Sequence, residues 1–561
     1  MKQEQSQPIR YLPFGDVGLV VELGDKISPE INRKVIALSH VLEKARIQGV
    51  EEIVPTYRSL LVRFDPLKTN YEKLVFQAEE IKTKHEEQIK NVKGKGIVIP
   101  VAYGGEYGPD IGDVAEYHGL TEDRVIELHS QREYRVYMIG FVAGFPYLGE
   151  VAEKIATPRL ATPRLKVPEG SVGIAEKQTG IYPREAPGGW RIIGRTPISL
   201  FDPEQQPPSL LKAGDTVKFK IITEQEFEAL SKTKTKQAPK AQPIGRKVFR
   251  VLKPGFLTTV QDLGRHGFLR YGVPVSGAMD TFSLTAANLL VGNQPNEACL
   301  EITLIGPELR VLAPTQIAVT GGELSPKING HNTQMWQTLS VHKNDVIAFG
   351  KMESGCRAYL AVRGGIAVPH LLGSRSTYIR GGFGGINGRP LEAGDIVATA
   401  ETDPMEKELY TPRELVPRFT SNVKVHVVLG PQADMFTENG MQTFLTNSYK
   451  VTSEADRMGY RLEGPAIEHK EKAEIVSDAL LPGAVQVPGN GTPIIIMRDA
   501  QTTGGYPKIA AIISADVNAL GQARPNSTVE FCSITMKQAR DKVNNYLKIL
   551  ATLNRMFKEK S

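Results

Sequence analysis

Cysteine is scarce in this 561-residue chain. Cys299, Cys356 and Cys532 are the three, far apart and odd in number. They form neither a disulfide framework nor a zinc pattern, and a reduced cytoplasmic protein is expected. No apolar run approaches the ~18 residues that a membrane span needs, and the opening MKQEQSQPIR has no apolar signal core. Net charge is only +6. Lys and Arg form no stripe interleaved with aromatics, so neither nucleic acid nor membrane is an expected partner. Walker A, the kinase signatures and the Gly-x-Ser-x-Gly elbow are missing. The ten histidines are scattered without metal-ligand spacing.

Glycine and proline are plentiful, at 53 and 37 residues, which fits a β-rich chain with many turns. At ~100–150 residues per domain, several units are expected. Residues 1–95 read as a small α/β unit. Gly18–Leu23 and Ser59–Asp65 have strand character. Ser28 and Pro29 open a helix with apolar residues at Ile31, Val35, Leu38 and Leu42, and a second helix spans Asn70–Asn91. From Gly96 to 228 short strands and Gly/Pro turns dominate, with Thr121 capping a short helix. The stretch GFVAGFPYLGE (140–150) reads as a shaped loop. Residues 229–246 are polar, basic and poor in core residues, which reads as a linker. Two further β-rich units are expected at 247–402 and 403–561. Three segments end alike, LLKAGDTVKF (210–219), PLEAGDIV (390–397) and ARPNSTVEF (523–531), and hint at three related β units.

The blocks GFVAGFPYLGE, ATPRLATPRLKVPEGSVGIAEKQTGIYP (156–183) and GGWRIIGRTP (188–197) resemble the B subunit of the bacterial 5-oxoprolinases. That family is also described as the first of the two allophanate hydrolase subunits and includes a sporulation-kinase inhibitor. GFLTTVQDLGRHGFLRYGVPVSGAMD (255–280), LLGSRSTYIRGGFGG (371–385) and DAQTTGGYPKIAAIISAD (499–516) resemble the C subunit. The chain is therefore similar to a fusion of the two. The resemblance implies a mainly β fold with α+β content. It implies cyclophilin-like barrels, one in the B-like half and two in the C-like half, behind the small N-terminal unit. It also implies ATP-dependent activation of 5-oxo-L-proline, completed to L-glutamate with a separate 5-oxoprolinase A subunit, and hence ATP and Mg²⁺. A homo-oligomer is compatible with this. A kinase-inhibiting regulator and an allophanate or urea-amidolyase-like hydrolase are the alternatives. One departure is Ala143, where the family usually has Pro.

Opening a lactam with ATP calls for cations toward carboxylate and phosphate, carboxylates for Mg²⁺, and amide-pairing groups. In QTTGGYPK (501–508), Gln501, Thr502, Thr503 and Tyr506 offer hydrogen bonds and Lys508 a point charge; a hairpin with a solvated Lys reads the same. QTGIYP (178–183) echoes it with Gln178 and Tyr182, as if one barrel position were used twice. Trp190 and Arg191 follow as a stacking plane and a fixed cation, or as core and surface. Asp262 and Asp280 suit Mg²⁺, or else Asp262 pairs Arg265 or caps a turn. Glu301, in the apolar CLEITL, is either buried or solvated. Arg363 and Arg375 stand beside Gly turns, and Arg159 and Arg164 repeat Thr-Pro-Arg at a five-residue interval; all four suit an anion or plain surface turns.

Overall fold

The computed structural model of the chain describes residues 8–85, 94–232 and 245–560. At the start of helix Pro29–Ala45 the Ser28 hydroxyl accepts from the N–H groups of Glu30 and Ile31, and Pro29 presets the first turn. Val35, Leu38 and Leu42 are buried. With Leu74 and Ala78 of helix Tyr71–Lys84 they cover one face of a four-stranded antiparallel sheet. Its strand order is Arg10–Phe14, Gly18–Glu22, Ser59–Phe64, Val50–Pro55. The part of the expected second helix from residue 86 on lies outside the described residues. Alternation along the strands turns Val20, Val54 and Leu61 to the other face, where they pack on Leu269, Val275, Leu480 and Leu481 of the second half. The two halves thus share a core.

The chain is mainly β with α+β content, as its composition suggests. One closed seven-stranded barrel begins at Gly96–Tyr103 and ends at Thr216–Ile221; the other begins at Asn422–Leu429 and ends at Thr528–Ser533. In each, the first and last strands pair in parallel and close the ring. Both rings run in the same order by sequence: first, last, second, third, fifth, fourth, sixth. Residues 246–399 instead form sheets of six and five strands around a shared core. Their first and last strands, Arg246–Lys253 and Ile396–Thr399, run antiparallel and close no ring. Among the described residues the second half therefore holds one closed barrel, preceded by a β unit built of two sheets around a shared core.

The three look-alike closing segments share a turn but not a topology. Gly214, Gly394 and Asn526 all take positive φ (95°, 93° and 74°). Only the first and third feed ring-closing strands, although the first two look most alike in sequence. Two local expectations also shift. Within GFVAGFPYLGE, Pro146–Gly149 is a barrel strand paired with Glu133–Ile139, with proline tolerated as its first residue. Of the expected linker, helix Glu224–Lys232 takes the opening residues and strand Arg246–Lys253 the last; 233–244 lie outside the described residues.

Candidate functional site

The carboxylates singled out from sequence are all buried and all engaged. Asp262 accepts from Gly264 N (2.8 Å), Ser374 Oγ (2.7 Å), Arg375 N (2.7 Å) and Ser376 Oγ, so it ties two loops together. Asp280 caps helix Thr281–Leu290 through Ser283 N and Oγ, and also accepts from Gln522 Nε2 at 2.8 Å. Burial pushes its pKa up despite those bonds. Glu301 accepts from Met279 N, the Tyr359 hydroxyl and Arg457, and Arg457 also grips Asp499 at 2.8 Å. That chain joins the middle sheets to the last barrel. With their lone pairs filled by protein donors, these three carboxylates do not fit Mg²⁺. No metal-holding cluster of His, Cys, Asp or Glu occurs among the described residues.

Several expected anion binders are likewise committed to the scaffold. Arg164 forks onto Asp110 (2.8 and 2.6 Å), Arg191 meets Asp113 at 2.7 Å, and Arg375 meets Glu297 at 2.8 Å. Arg363 donates to the carbonyls of Val291, Gly292 and Asp403, closing the end of a helix. Arg265 does not bond Asp262; it donates to Ser376 O and lies 5.0 Å over the Phe383 ring. Its Nη1 is buried without a partner among the described residues, and burial lowers its pKa to about 10.

What the fold does bring together is the Gly140–Gly149 segment of the first barrel and the Gln501–Lys508 segment of the last. The Phe141 N–H donates to Thr503 Oγ1 at 3.1 Å, and that hydroxyl also faces Tyr147. A Cβ on Gly140 would lie 2.5 Å from Thr503 Oγ1, so the close approach requires glycine. Gln178 donates to the buried Tyr57 hydroxyl, from the turn between two strands of the N-terminal sheet. Tyr182 and Trp190 are buried with Phe145 in an edge-to-face aromatic cluster beside Tyr147. Arg159 is exposed, with no hydrogen bond or ion pair among the described residues. Its charge bears on Tyr57, Tyr147 and Tyr182; burial raises all three pKa values, the latter two to about 12.

The other face of the Gln501–Lys508 segment opens on a cleft of about 350 Å³, lined by Gln501, Tyr506, Arg380 and Arg461 among others. Thr502 turns inward, its Oγ1 buried without a partner. Lys508 is fully buried and paired with Asp478 at 3.3 Å, so it does not reach solvent. The echo of QTGIYP in QTTGGYPK is not positional. Gln178–Ile181 is the fifth strand of its ring, whereas Lys508–Ile512 is the sixth of the other. The true counterpart of Thr503–Gly504, which pairs with Asp478–Ala479, is Ala186–Gly188, which pairs with Arg164–Val167.

Sequence reasoning missed Tyr57, Asp478 and Arg184. Arg184 is half-buried against Gly382 and has no ion pair among the described residues; burial lowers its pKa. The signal was present: Arg184-Glu185-Ala186 and Arg498-Asp499-Ala500 precede matching Gly-Gly-aromatic segments.

Comparison with known proteins divides the chain into the same two halves. Residues 9–211 match the family described as carboxyltransferase domain, subdomain C and D, and residues 271–533 match carboxyltransferase domain, subdomain A and B. The chain is 41% identical over 226 residues to the B subunit of 5-oxoprolinase from Bacillus subtilis, covering 38% of this chain and 94% of that protein. It is 36% identical over 294 residues to the C subunit of 5-oxoprolinase from Escherichia coli, covering 52% of this chain and 93% of that one. The solved structure of TTHA0988 superposes with a TM-score of 0.79 at 31% identity, covering 92% of this chain and 99% of that one. The chain belongs to the carboxyltransferase-domain family, with its C/D subdomains placed ahead of its A/B subdomains in one polypeptide.

Proposed function

We propose that this chain is the activating component of an ATP-dependent 5-oxoprolinase, uniting the roles of the B and C subunits and working with a separate A subunit. One observation carries the reading. A segment from the B-like half meets one from the C-like half where Phe141 N donates to Thr503 Oγ1 beside Tyr147, and the charge of Arg159, which has no carboxylate partner among the described residues, bears on Tyr147. A junction of that kind needs both halves, as an enzyme split into two polypeptides would.

At this junction Arg159 is the cation suited to the substrate carboxylate. Gln178, Thr503 and the tyrosine hydroxyls offer amide-pairing groups. The walls of Phe145, Tyr182 and Trp190 hold water away from the ring. ATP would supply the drive by phosphorylating the lactam oxygen; one water then adds at that carbon and the ring nitrogen leaves as the amine, and a second water cleaves the resulting acyl phosphate to carboxylate and phosphate. Arg184 and Arg380 are the chain's own candidates for the phosphate charge. Asp262, Asp280 and Glu301 do not fit Mg²⁺, so no role is assigned to it. The family description supports a second reading, in which a carboxyl group is transferred to an amide nitrogen.

The deciding experiment supplies ATP and 5-oxoproline to the purified chain with and without the A subunit. Glutamate formed only with both proteins, with ATP consumed, is the expected result. ATP-independent hydrolysis by the chain alone rules the reading out, and a carboxylated amide formed when a carboxyl donor is added favours the second.

A further inference from the structure

Away from that junction, a cavity of about 230 Å³ lies between the N-terminal unit and the start of the last helix. Phe64, Thr69, Asn70, Tyr71 and Glu72 line one side, and Met536, Lys537 and Arg540 the other. Two helices begin here, Tyr71–Lys84 and Met536–Lys560. Their caps are used locally: Asn70 Oδ1 accepts from Lys73 N, and Thr535 Oγ1 accepts from Gln538 N. The N–H groups of Tyr71, Glu72, Met536 and Lys537 are the ones left over, at the positive ends of both dipoles. Lys537 is exposed and Arg540 half-buried, and neither has an ion pair among the described residues. Thr69 is only 6% exposed, and its Oγ1 has no hydrogen-bond partner among the described residues. Asp16 also borders the space, but its Oδ1 and Oδ2 accept from Ser514 N (2.8 Å) and Oγ (2.6 Å).

We propose that this cavity binds phosphate, free or as a monoester, held by Lys537, Arg540 and the two helix starts, with the Thr69 hydroxyl as an added donor. Because Asn70 and Arg540 belong to opposite halves of the chain, the ligand fastens the N-terminal unit to the last barrel. Nothing in this site depends on the lactam chemistry proposed above.

The test is thermal unfolding and calorimetric titration of the full chain with inorganic phosphate, against sodium chloride at matched ionic strength. The melting temperature is expected to rise by about 2 °C at a hundredfold excess over Kd, the shift for a cooperative chain of this size. The double variant Lys537→Gln/Arg540→Gln should melt like the parent in chloride, lose the phosphate shift and bind at least tenfold more weakly. Arg540→Lys, which keeps the charge, should retain most of the shift. Should the double variant not fold, Lys537→Gln at its exposed position reads the same loss in smaller measure. Titration with glycerol phosphate separates the sources: tighter binding than phosphate marks an esterified ligand, weaker binding a free one. Three results overturn the proposal: no phosphate-specific shift in the parent, an undiminished shift in the charge-removed variants (phosphate bound elsewhere), or equal binding of glutamate, which marks generic charge attraction.

Discussion

Lys508 Nζ lies 3.3 Å from Asp478 Oδ2, and the two side chains are 0% and 2% exposed. Asp478 also accepts from Ser59 Oγ at 2.6 Å, so the pair is locked under the N-terminal sheet. Burial lowers the Lys508 pKa in spite of its partner. Burial alone would raise that of Asp478, yet Lys508, Ser59 and Arg58 together hold it below the usual carboxylate range. Lys508→Ala is therefore expected to destabilise the chain. Leaving a buried charge unpaired costs about 3–5 kcal/mol. Lys508→Met/Asp478→Leu should recover much of the stability. A double-mutant cycle in thermal unfolding checks this, and additive losses refute it.

His129 sets an acid limit. It is fully buried, stacked 4.7 Å from Phe219, and its ring nitrogens meet Tyr103 Oη (2.8 Å) and Thr179 Oγ1 (2.9 Å). Burial drives its pKa down to about 3. An unfolded histidine protonates near ~6.5, so below that pH the unfolded state takes a proton the folded state refuses. The stability is intact above ~6.5 and falls by up to about 1.4 kcal/mol per pH unit as pH drops toward the folded value. As pH falls from 7.5 to 5, unfolding should become steeper in pH for the parent than for His129→Gln, the difference approaching about one proton at the acid end.

The two halves should remain one body after the chain is cut. Phe14, Val20 and Leu61 are buried against Leu269, Leu480 and Ala511. Gly144 N donates to Tyr271 O at 2.8 Å, and Asp16 accepts from Ser514. Phe201 lies 5.9 Å from Phe383. Cleavage in the Lys-rich stretch 233–244 is expected to leave both fragments co-eluting on a sizing column. Elution as two monomeric fragments contradicts the shared core.

Much of this was legible in the sequence because it was local. Ser28-Pro29 and Thr121 announce helix starts, and both caps form. The β-rich character and the family blocks indicated the architecture. Ring closure was not legible: the Gly-Asp turn looks the same before a parallel closing strand at Thr216 and an antiparallel one at Ile396. Nor was the fate of polar residues. Arg159 and Arg164 sit in identical Thr-Pro-Arg contexts, yet among the described residues one has no ion pair and the other is forked onto Asp110, because residues far off in the chain decide. Tyr57 and Asp478 carry no motif; only tertiary packing sets them beside Gln178 and Lys508.

Arg159 gives the sharpest functional test. It is exposed and makes no hydrogen bond or ion pair among the described residues that its loss would break. Arg159→Ala should therefore melt within about 1 °C of the parent, as surface changes away from structural features do. If the guanidinium receives the substrate carboxylate, its removal forfeits a charge-assisted bond of about 1.5–3 kcal/mol, or roughly ten- to a hundredfold in kcat/KM for 5-oxoproline. Arg159→Lys should recover part of that, since it keeps the charge but not the planar fork. ATP turnover uncoupled from the lactam should change little, which separates a substrate anchor from a phosphate contact. Unchanged kcat/KM in a folded Arg159→Ala chain, assayed together with the A subunit, removes Arg159 from the site; a rise confined to the KM for ATP moves it to the phosphates.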